Sequence, residues 1–314
     1  MNKGKQLAVG GVLLALFSIM LLITIYVPVI GVVMMFILPI PFIFVALEND
    51  IKWSFIFLLA ACLLTVILGH IFSVPLTIMM GSIGITIGYY IRTGKSRLQM
   101  YILSVLLFIA NMLVIFIASM LLMDINYIDK TVERMNVIID QSERMFNGMG
   151  QNEESIEMLM QFKDSLQLIE VLLPSFIVIA SVVLVGVIFL GCKPIINRFS
   201  SKKLLIAPLR ELQLPKSLLW YYLITMIASL FISTSDGIAY TVVFNLLFCL
   251  QFFVMLQGYS FLFFFSNKKN WNKAIPIIVV ILSILLPFAS IVAPFIRILG
   301  IIDLGFNLRN KFQN

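Results

Sequence analysis

Eight long apolar stretches dominate this chain of 314 residues. A helix needs about 20 apolar residues to cross a hydrocarbon core of about 30 Å, and each stretch approaches or exceeds that length. The sequence therefore predicts an all-α fold, a polytopic transmembrane helical bundle with eight clear spans. The predicted spans are residues 7–26, 29–47, 53–72, 74–91, 98–123, 168–191, 217–233 and 238–266.

A ninth apolar tract, residues 274–302, is interrupted by Pro287 and Pro294. As one straight span it would place Arg309 and Lys311 opposite to the other basic residues, against the positive-inside rule. We therefore predict a broken helix or a re-entrant hairpin that turns near Pro287. Non-helical backbone at membrane depth has to be buried in protein or line a cavity.

The amino-acid composition excludes several other classes of protein. Apolar residues make up 61% of the chain and charged residues only 12%, whereas soluble domains carry about 25% charged residues. So few charges cannot cover a water-facing surface. A soluble enzyme, a secreted disulfide scaffold and a disordered chain are therefore excluded, and the lipid bilayer is the predicted surrounding.

The basic residues alternate between successive connections, which predicts the orientation of the chain. With Lys3 and Lys5 in the cytoplasm, every second connection is basic, and those around Pro28, Ser73 and Asp236 contain neither Lys nor Arg. The net charge of +7 therefore indicates membrane orientation, and we predict no nucleic-acid partner. The predicted cytoplasmic connections are residues 48–52, 92–97, 192–216 and 267–273.

Residues 124–167 form the only substantial segment predicted outside the membrane. Apolar residues recur in it at alternating spacings of three and four on both sides of a Gly-rich turn at 147–152. This pattern predicts an external antiparallel helical hairpin. It divides the chain into a first five-span bundle (1–123), the extracytoplasmic hairpin (124–167) and a second bundle (168–314). The hairpin is either a plain solvated structure or a docking surface.

The sequence contains almost none of the residues that catalysis requires. His70 is the only histidine, and no Cys, Asp or second His lies near it in the sequence. The chain contains no phosphate-binding P-loop, no HExxH and no GxSxG. We predict that the protein is not an enzyme, needs no cofactor and holds no metal.

Small, proline and neutral polar residues recur inside the predicted spans. Thr77, Gly81, Gly84 and Gly88 follow one another at spacings of four, three and four, so they share one helix face. Such residues serve either in close helix packing or along a path for a neutral or amphiphilic solute. The full candidate set is Gly11, Ala15, Pro39, Pro41, Thr77, Gly81, Gly84, Gly88, Asn111, Asn245, Gln251, Gln257 and Gly258.

The connection 192–216 is the longest of the predicted cytoplasmic connections. Basic and apolar residues alternate in blocks along it, and its second half contains two prolines, Pro208 and Pro215. Such a segment either lies along the membrane surface or docks a cytoplasmic partner. The candidate docking residues are Arg198, Lys202, Lys203, Arg210 and Lys216.

Three motifs resemble the YybS-like family of uncharacterised bacterial membrane proteins. They are APLRELQLPKSLLWYY at 207–222, Gln257-Gly258 within LQGYSF, and LGIIDLGFNLR at 299–309. This resemblance implies a multi-pass protein of the bacterial cytoplasmic membrane. It also implies a distant similarity to the S components of energy-coupling-factor transporters, which capture a solute and work with a coupling membrane subunit and ATPases. The small-residue motif in the first helix of an S component corresponds here to Gly11 and Ala15.

Two functional hypotheses follow. The first is a solute-binding or transport-associated subunit that resembles an S component and relies on partner ATPases. The alternative is a non-transport membrane scaffold or regulatory protein that docks partners through the basic cytoplasmic loop and the external hairpin.

Overall fold

The computed structural model describes residues 3–123, 134, 137–138, 141, 153–233, 237–272, 274–285, 289–306 and 309. These residues form α-helices and short 3-10 turns, and no strand occurs among them. The all-α prediction is therefore confirmed. The helices are α1 (Lys3–Tyr26), α2 (Ile30–Ile37), α3 (Ile40–Glu48), α4 (Ile51–Leu68), α5 (Val74–Thr93), α6 (Arg97–Met123), α7 (Glu153–Phe199), α8 (Ser217–Ser229), α9 (Ile238–Lys268), α10 (Ala274–Ile284) and α11 (Ala289–Phe306).

Seven helical segments in the described part of the chain are long and apolar enough to cross a membrane. In five of the seven, fewer than a third of the residues are buried, and apolar residues such as Leu63, Ile67 and Leu121 are largely exposed. An apolar outer surface of this kind fits a lipid surrounding. Helix α8 has 13 residues, which corresponds to about 20 Å, so it is shorter than the predicted span 217–233. The predicted count of eight spans stays a prediction.

The described residues pack as two compact units, and the boundary falls inside α7, between residues 179 and 180. The first unit contains α1–α6, the C-terminal part of α7 and the chain up to Ile206. Its core is built around Phe42, whose ring makes edge-to-face contacts with Phe17 and Phe57. The predicted break of the second span is present, because α2 ends before Pro39 and α3 begins at Ile40.

The second unit contains the N-terminal part of α7 and helices α8–α11. Helix α9 packs against α8, α10 and α11. A small apolar core at its centre includes Tyr222, Val254 and Leu304. The C-terminal tract forms two helices, α10 and α11, which also contact each other.

Two of the predicted features fall largely outside the described residues. Residues 153–167 of the predicted hairpin form the first part of α7. Only four positions of the first arm are described, and they are helical. The Gly-rich turn lies outside the described residues, as does the predicted turn near Pro287. The division of the chain at 123 and 168 stays a prediction.

Candidate functional site

The glycine face of α5 packs directly against α3. A Cβ added at Gly84 would lie 2.6 Å from the carbonyl oxygen of Pro39 and 2.8 Å from Cβ of Phe42. At Gly88 it would lie 2.5 Å from the carbonyl oxygen of Ile43, and at Gly81 it would meet the Phe42 ring at 3.0 Å. The missing side chains therefore let the two helices approach closely, and Pro39 and Pro41 are buried in the same region.

Polar residues within the first unit bond to neighbouring helices. The hydroxyls of Thr77 on α5 and Thr65 on α4 lie 2.8 Å apart, and both side chains are buried. On α6, Nδ2 of Asn111 lies 2.7 Å from the carbonyl oxygen of Leu107 and 3.4 Å from Oγ of Ser82 on α5. These contacts hold adjacent helices together.

The small residues of α1 behave differently. Gly11 and Ala15 are both exposed, and a Cβ added at Gly11 would meet no atom within 4 Å. This pair therefore forms no close helix contact among the described residues.

In the second unit, Asn245 joins α9 to α7. Its Oδ1 accepts hydrogen bonds from the backbone N–H (3.0 Å) and hydroxyl (2.6 Å) of Ser175, and its Nδ2 donates to the carbonyl of Val171 at 2.5 Å. Val171 and Ser175 are one turn apart in α7, on either side of Pro174. The Asn245 amide thus bonds two positions one helical turn apart on α7.

The other two amides of α9 differ sharply in their surroundings. Gln251 is partly exposed and makes no hydrogen bond to another residue that the structure describes. Gln257, in contrast, is almost fully buried and bonds on both sides: its Nε2 donates to Oδ2 of Asp303 at 2.5 Å, and its Oε1 accepts from the backbone N–H of Leu214 at 3.0 Å.

Gln257 belongs to a buried ionic cluster formed by Gln257, Ser260, Asp303 and Arg309, which we call the Asp303–Arg309 cluster. Arg309 donates a hydrogen bond from Nε to Oδ2 of Asp303 at 3.1 Å, and its Nη2 forms an ion pair with the same oxygen at 3.0 Å. Only 2% of the Arg309 side chain and 1% of the Asp303 side chain are exposed. The guanidinium also lies over the ring of Phe264, 5.3 Å from its centre.

The Asp303–Arg309 cluster fastens residues 207–216, a connecting segment with one 3-10 turn at Leu209–Glu211, which we call the pinned loop. Arg309 donates from Nη1 to the carbonyl of Arg210 and from Nη2 to Oγ of Ser260, both at 2.9 Å. Oγ of Ser260 lies 2.7 Å from the carbonyl oxygens of both Leu209 and Leu212. With the Leu214 bond to Gln257, the cluster contacts the loop backbone at four residues.

The close crossing of α9 and α11 brings the members of the cluster together. A Cβ added at Gly258 would collide with the carbonyl oxygen of Ile296, and one added at Gly300 would collide with that of Val254. The two backbones are therefore in direct contact. Gln257 and Ser260 flank this crossing on α9, and Asp303 lies one turn beyond it on α11.

The chemistry of the cluster favours a positioning role. Buried ion pairs contribute little net stability after desolvation, although removing one partner is costly. Three hydrogen bonds from Arg309 end on three different residues, and an ion pair with Asp303 adds to them, which fixes the loop geometry. Oδ1 of Asp303 is buried and has no hydrogen-bond partner among the described residues. No group of His, Cys, Asp and Glu suited to a metal ion occurs in the described part of the chain.

The five candidate docking residues divide between the two units. Arg198, Lys202 and Lys203 belong to the first, where Nζ of Lys202 donates to the carbonyl of Arg92 at 2.8 Å. Arg210 and Lys216 belong to the second, where Nη1 of Arg210 donates to Oδ1 of Asn267 at 2.8 Å. All five side chains are exposed.

Comparison with known proteins identifies the family. Residues 15–304 match the family model described as "Predicted membrane protein (DUF2232)". The chain belongs to the DUF2232 family. It is also 30% identical over 313 residues to the "Uncharacterized protein YybS" of Bacillus subtilis (strain 168), and the alignment covers 100% of both chains. No solved structure matches the sequence. The predicted resemblance to YybS-like membrane proteins is thus confirmed, whereas the similarity to S components stays a prediction.

The structure brings the three motifs of that resemblance in this DUF2232 chain to one place. The pinned loop comes from the first motif, Gln257 and Ser260 from the second, and Asp303 and Arg309 from the third. The sequence-based candidates included Gln257, Gly258 and Arg210 but not Ser260, Asp303 or Arg309. The available signal was the presence of two opposite charges in a short, otherwise apolar C-terminal motif.

Proposed function

We propose that this DUF2232 protein is a non-enzymatic scaffold or regulatory protein of the bacterial cytoplasmic membrane that docks a cytoplasmic partner through the pinned loop. The N-terminus lies in the cytoplasm in this proposal, which places the loop on the same side. Its support is the positive-inside pattern of Lys and Arg.

The observation that carries the proposal is the attachment of the pinned loop to the Asp303–Arg309 cluster. The loop backbone is held at Leu209, Arg210, Leu212 and Leu214. The side chains of Arg210, Glu211, Gln213 and Lys216 are nevertheless exposed. A loop whose backbone is fixed while its side chains stay exposed is preorganised for binding, because little backbone conformational entropy remains to be lost.

The polar residues considered for a solute path favour docking over solute binding. Thr77, Asn111 and Asn245 direct their hydrogen bonds to neighbouring helices or to their own backbone. The glycine face of α5 is filled by α3. Polar groups whose hydrogen bonds are already made within the bundle have little capacity left to bind a solute.

Photocrosslinking in intact cells tests the proposal. A photoreactive amino acid placed at Gln213 samples the exposed side of the pinned loop. The matched control is the same amino acid at Ile281, an exposed apolar position on α10 of the same unit. Docking predicts a discrete protein adduct from position 213 and none from position 281.

A second arm tests whether the loop must be pinned. Ser260→Ala removes the hydroxyl that contacts Leu209 and Leu212 without leaving a buried charge unpaired. We expect the adduct from position 213 to fall several-fold at equal protein accumulation. The proposal is wrong if no adduct forms from position 213, or if Ser260→Ala leaves the adduct unchanged.

A transport-associated subunit is the second candidate, and one observation favours it. The exposed Gly11 and Ala15 on α1 offer a face on which another membrane subunit can pack closely. Purification in mild detergent followed by mass spectrometry distinguishes the two functions. A retained small molecule together with an ATPase supports transport, and a protein partner lost in Ser260→Ala supports docking.

A further inference from the structure

Three exposed cations belong to the C-terminal end of α9, on the second unit. Lys268 is the last residue of the helix and Lys269 is its C-cap, and Arg210 is held at this end by its 2.8 Å hydrogen bond to Asn267. Lys268 and Lys269 make no side-chain hydrogen bond or ion pair within the described chain. Glu211 supplies the one carboxylate next to Arg210 in the sequence, so positive charge remains in excess.

The end of α9 is a well-defined structure and not a fraying terminus. The backbone N–H of Trp271 donates to the carbonyl of Ser266 at 2.9 Å, and that of Asn270 donates to Asn267 at 3.3 Å. Asn270 has a φ of 53°, in the left-handed region. These features form a Schellman motif, which fixes the positions of the terminal lysines.

Trp271 completes the motif with an apolar contact. Its ring lies edge-to-face on Phe265, with 5.4 Å between the ring centres, and the residue stays 44% exposed. A half-exposed tryptophan next to basic residues is typical of the boundary between hydrocarbon and headgroups. Trp220 and Tyr221, four and five residues after Lys216, are also largely exposed. Exposed aromatic residues near both Lys216 and Lys269 in the sequence are consistent with a position of this end of the unit at headgroup depth.

We infer that Arg210, Lys268 and Lys269 form a binding site for the phosphate of an anionic phospholipid headgroup, with Trp271 anchored beside the acyl chains. The guanidinium and two ammonium groups supply donors and charge, and the aromatic ring supplies the apolar contact that a free phosphate lacks. The site does not depend on the proposed docking role, because its cations come from α9 as well as from the pinned loop.

The site differs from an ordinary basic loop in that the backbone beneath its lysines is fixed and their ammonium groups remain available to a ligand. Lys202 in the first unit donates to the carbonyl of Arg92, so part of its bonding capacity is used within the protein. Lys268 and Lys269 have no such partner among the described residues, and the Schellman motif holds them on one helix end. Basic clusters of this kind recognise anionic headgroups.

Native mass spectrometry of the purified full-length protein tests the inference. The protein is incubated with equimolar phosphatidylglycerol and phosphatidylcholine, and the ratio of retained lipids is measured. We expect a preference for phosphatidylglycerol that falls in Lys268→Gln/Lys269→Gln by roughly 25-fold, since each cation near an anionic lipid surface contributes about a factor of five.

The matched control is Lys5→Gln/Lys52→Gln, which removes the same charge from two exposed lysines of the first unit. It should leave the preference unchanged. Equal losses in both double variants, or no preference in the wild-type protein, would overturn the site. Displacement by excess inorganic phosphate would overturn the lipid assignment. So would a co-purifying protein that Lys268→Gln/Lys269→Gln releases while lipid retention stays the same.

Discussion

Arg309 reaches a single oxygen of Asp303 through two of its nitrogens, with Nε at 3.1 Å and Nη2 at 3.0 Å from Oδ2. Gln257 donates to the same oxygen. One carboxylate oxygen therefore lies within reach of three donor atoms, two from Arg309 and one from Gln257 on α9. These contacts depend on the charges of both Asp303 and Arg309.

Removing one charge of this pair should cost more than removing both. Arg309→Met leaves the Asp303 carboxylate buried without its cation, which is expected to lower the free energy of unfolding by about 3–5 kcal/mol. Arg309→Met/Asp303→Leu replaces both groups by apolar side chains and should recover most of that loss. Unfolding of the purified protein by denaturing detergent measures both. Equal losses in the single and double variants would contradict the ionic role.

The contact between α9 and α11 should tolerate no side chain at Gly258. In Gly258→Ala the new Cβ meets the backbone carbonyl of Ile296, which cannot rotate away as a side chain can. We expect a destabilisation of about 3 kcal/mol, the upper end for overpacking, and a lower melting temperature. Gly11→Ala is the control, because the space around Gly11 is open, and it should be neutral or slightly stabilising. A thermally unaffected Gly258→Ala would contradict the close crossing.

Asn245 should matter through its bonds to α7. Asn245→Leu removes the α9 partner of Val171 and Ser175 and is expected to cost about 1–3 kcal/mol. In Ser175→Ala/Asn245→Leu the hydroxyl that bonds Asn245 is removed as well, so the cost of Asn245→Leu should shrink. A double-mutant cycle measured by detergent unfolding gives the coupling. Gln251→Leu on the same helix is the control and should change stability little, and a coupling near zero would argue against the contact.

Ser260→Ala should release the pinned loop while the bundle stays folded. Its hydroxyl is the only side-chain contact of the loop carbonyls of Leu209 and Leu212 among the described residues. We expect faster tryptic cleavage after Arg210 in the detergent-purified protein, by several-fold. Thr77→Val, which removes a buried hydroxyl in the other unit, should leave the cleavage rate unchanged. Identical rates in the Ser260→Ala and wild-type proteins would contradict the pinning.

The sequence predicted the apolar helices well, because their signals are local. The first five predicted spans correspond to α1–α6, and the break at Pro39 follows from the missing backbone N–H. The end of α8 at Ser229 was not predicted, since hydropathy counts apolar residues and does not report where the helical hydrogen bonds stop.

The candidate site was only partly predictable, because its members are distant in sequence. Gln257 and Asp303 are 46 residues apart, and Arg210 and Arg309 are 99 apart. Asn245, Gln251 and Gln257 are similar amides within one apolar stretch, yet only two of them have bonding partners among the described residues. Nothing local in the sequence distinguishes Gln251, because the difference lies in which neighbouring helix faces it.

The bond between Asn245 and α7 also constrains the order in which the protein is made. Ser175 leaves the ribosome 70 residues before Asn245. Until that amide arrives, Val171 and Ser175 have no hydrogen-bond partner from α9. The contact between α7 and α9 therefore forms only once the later helix has been made, so its two sides come together in an order different from that of their synthesis.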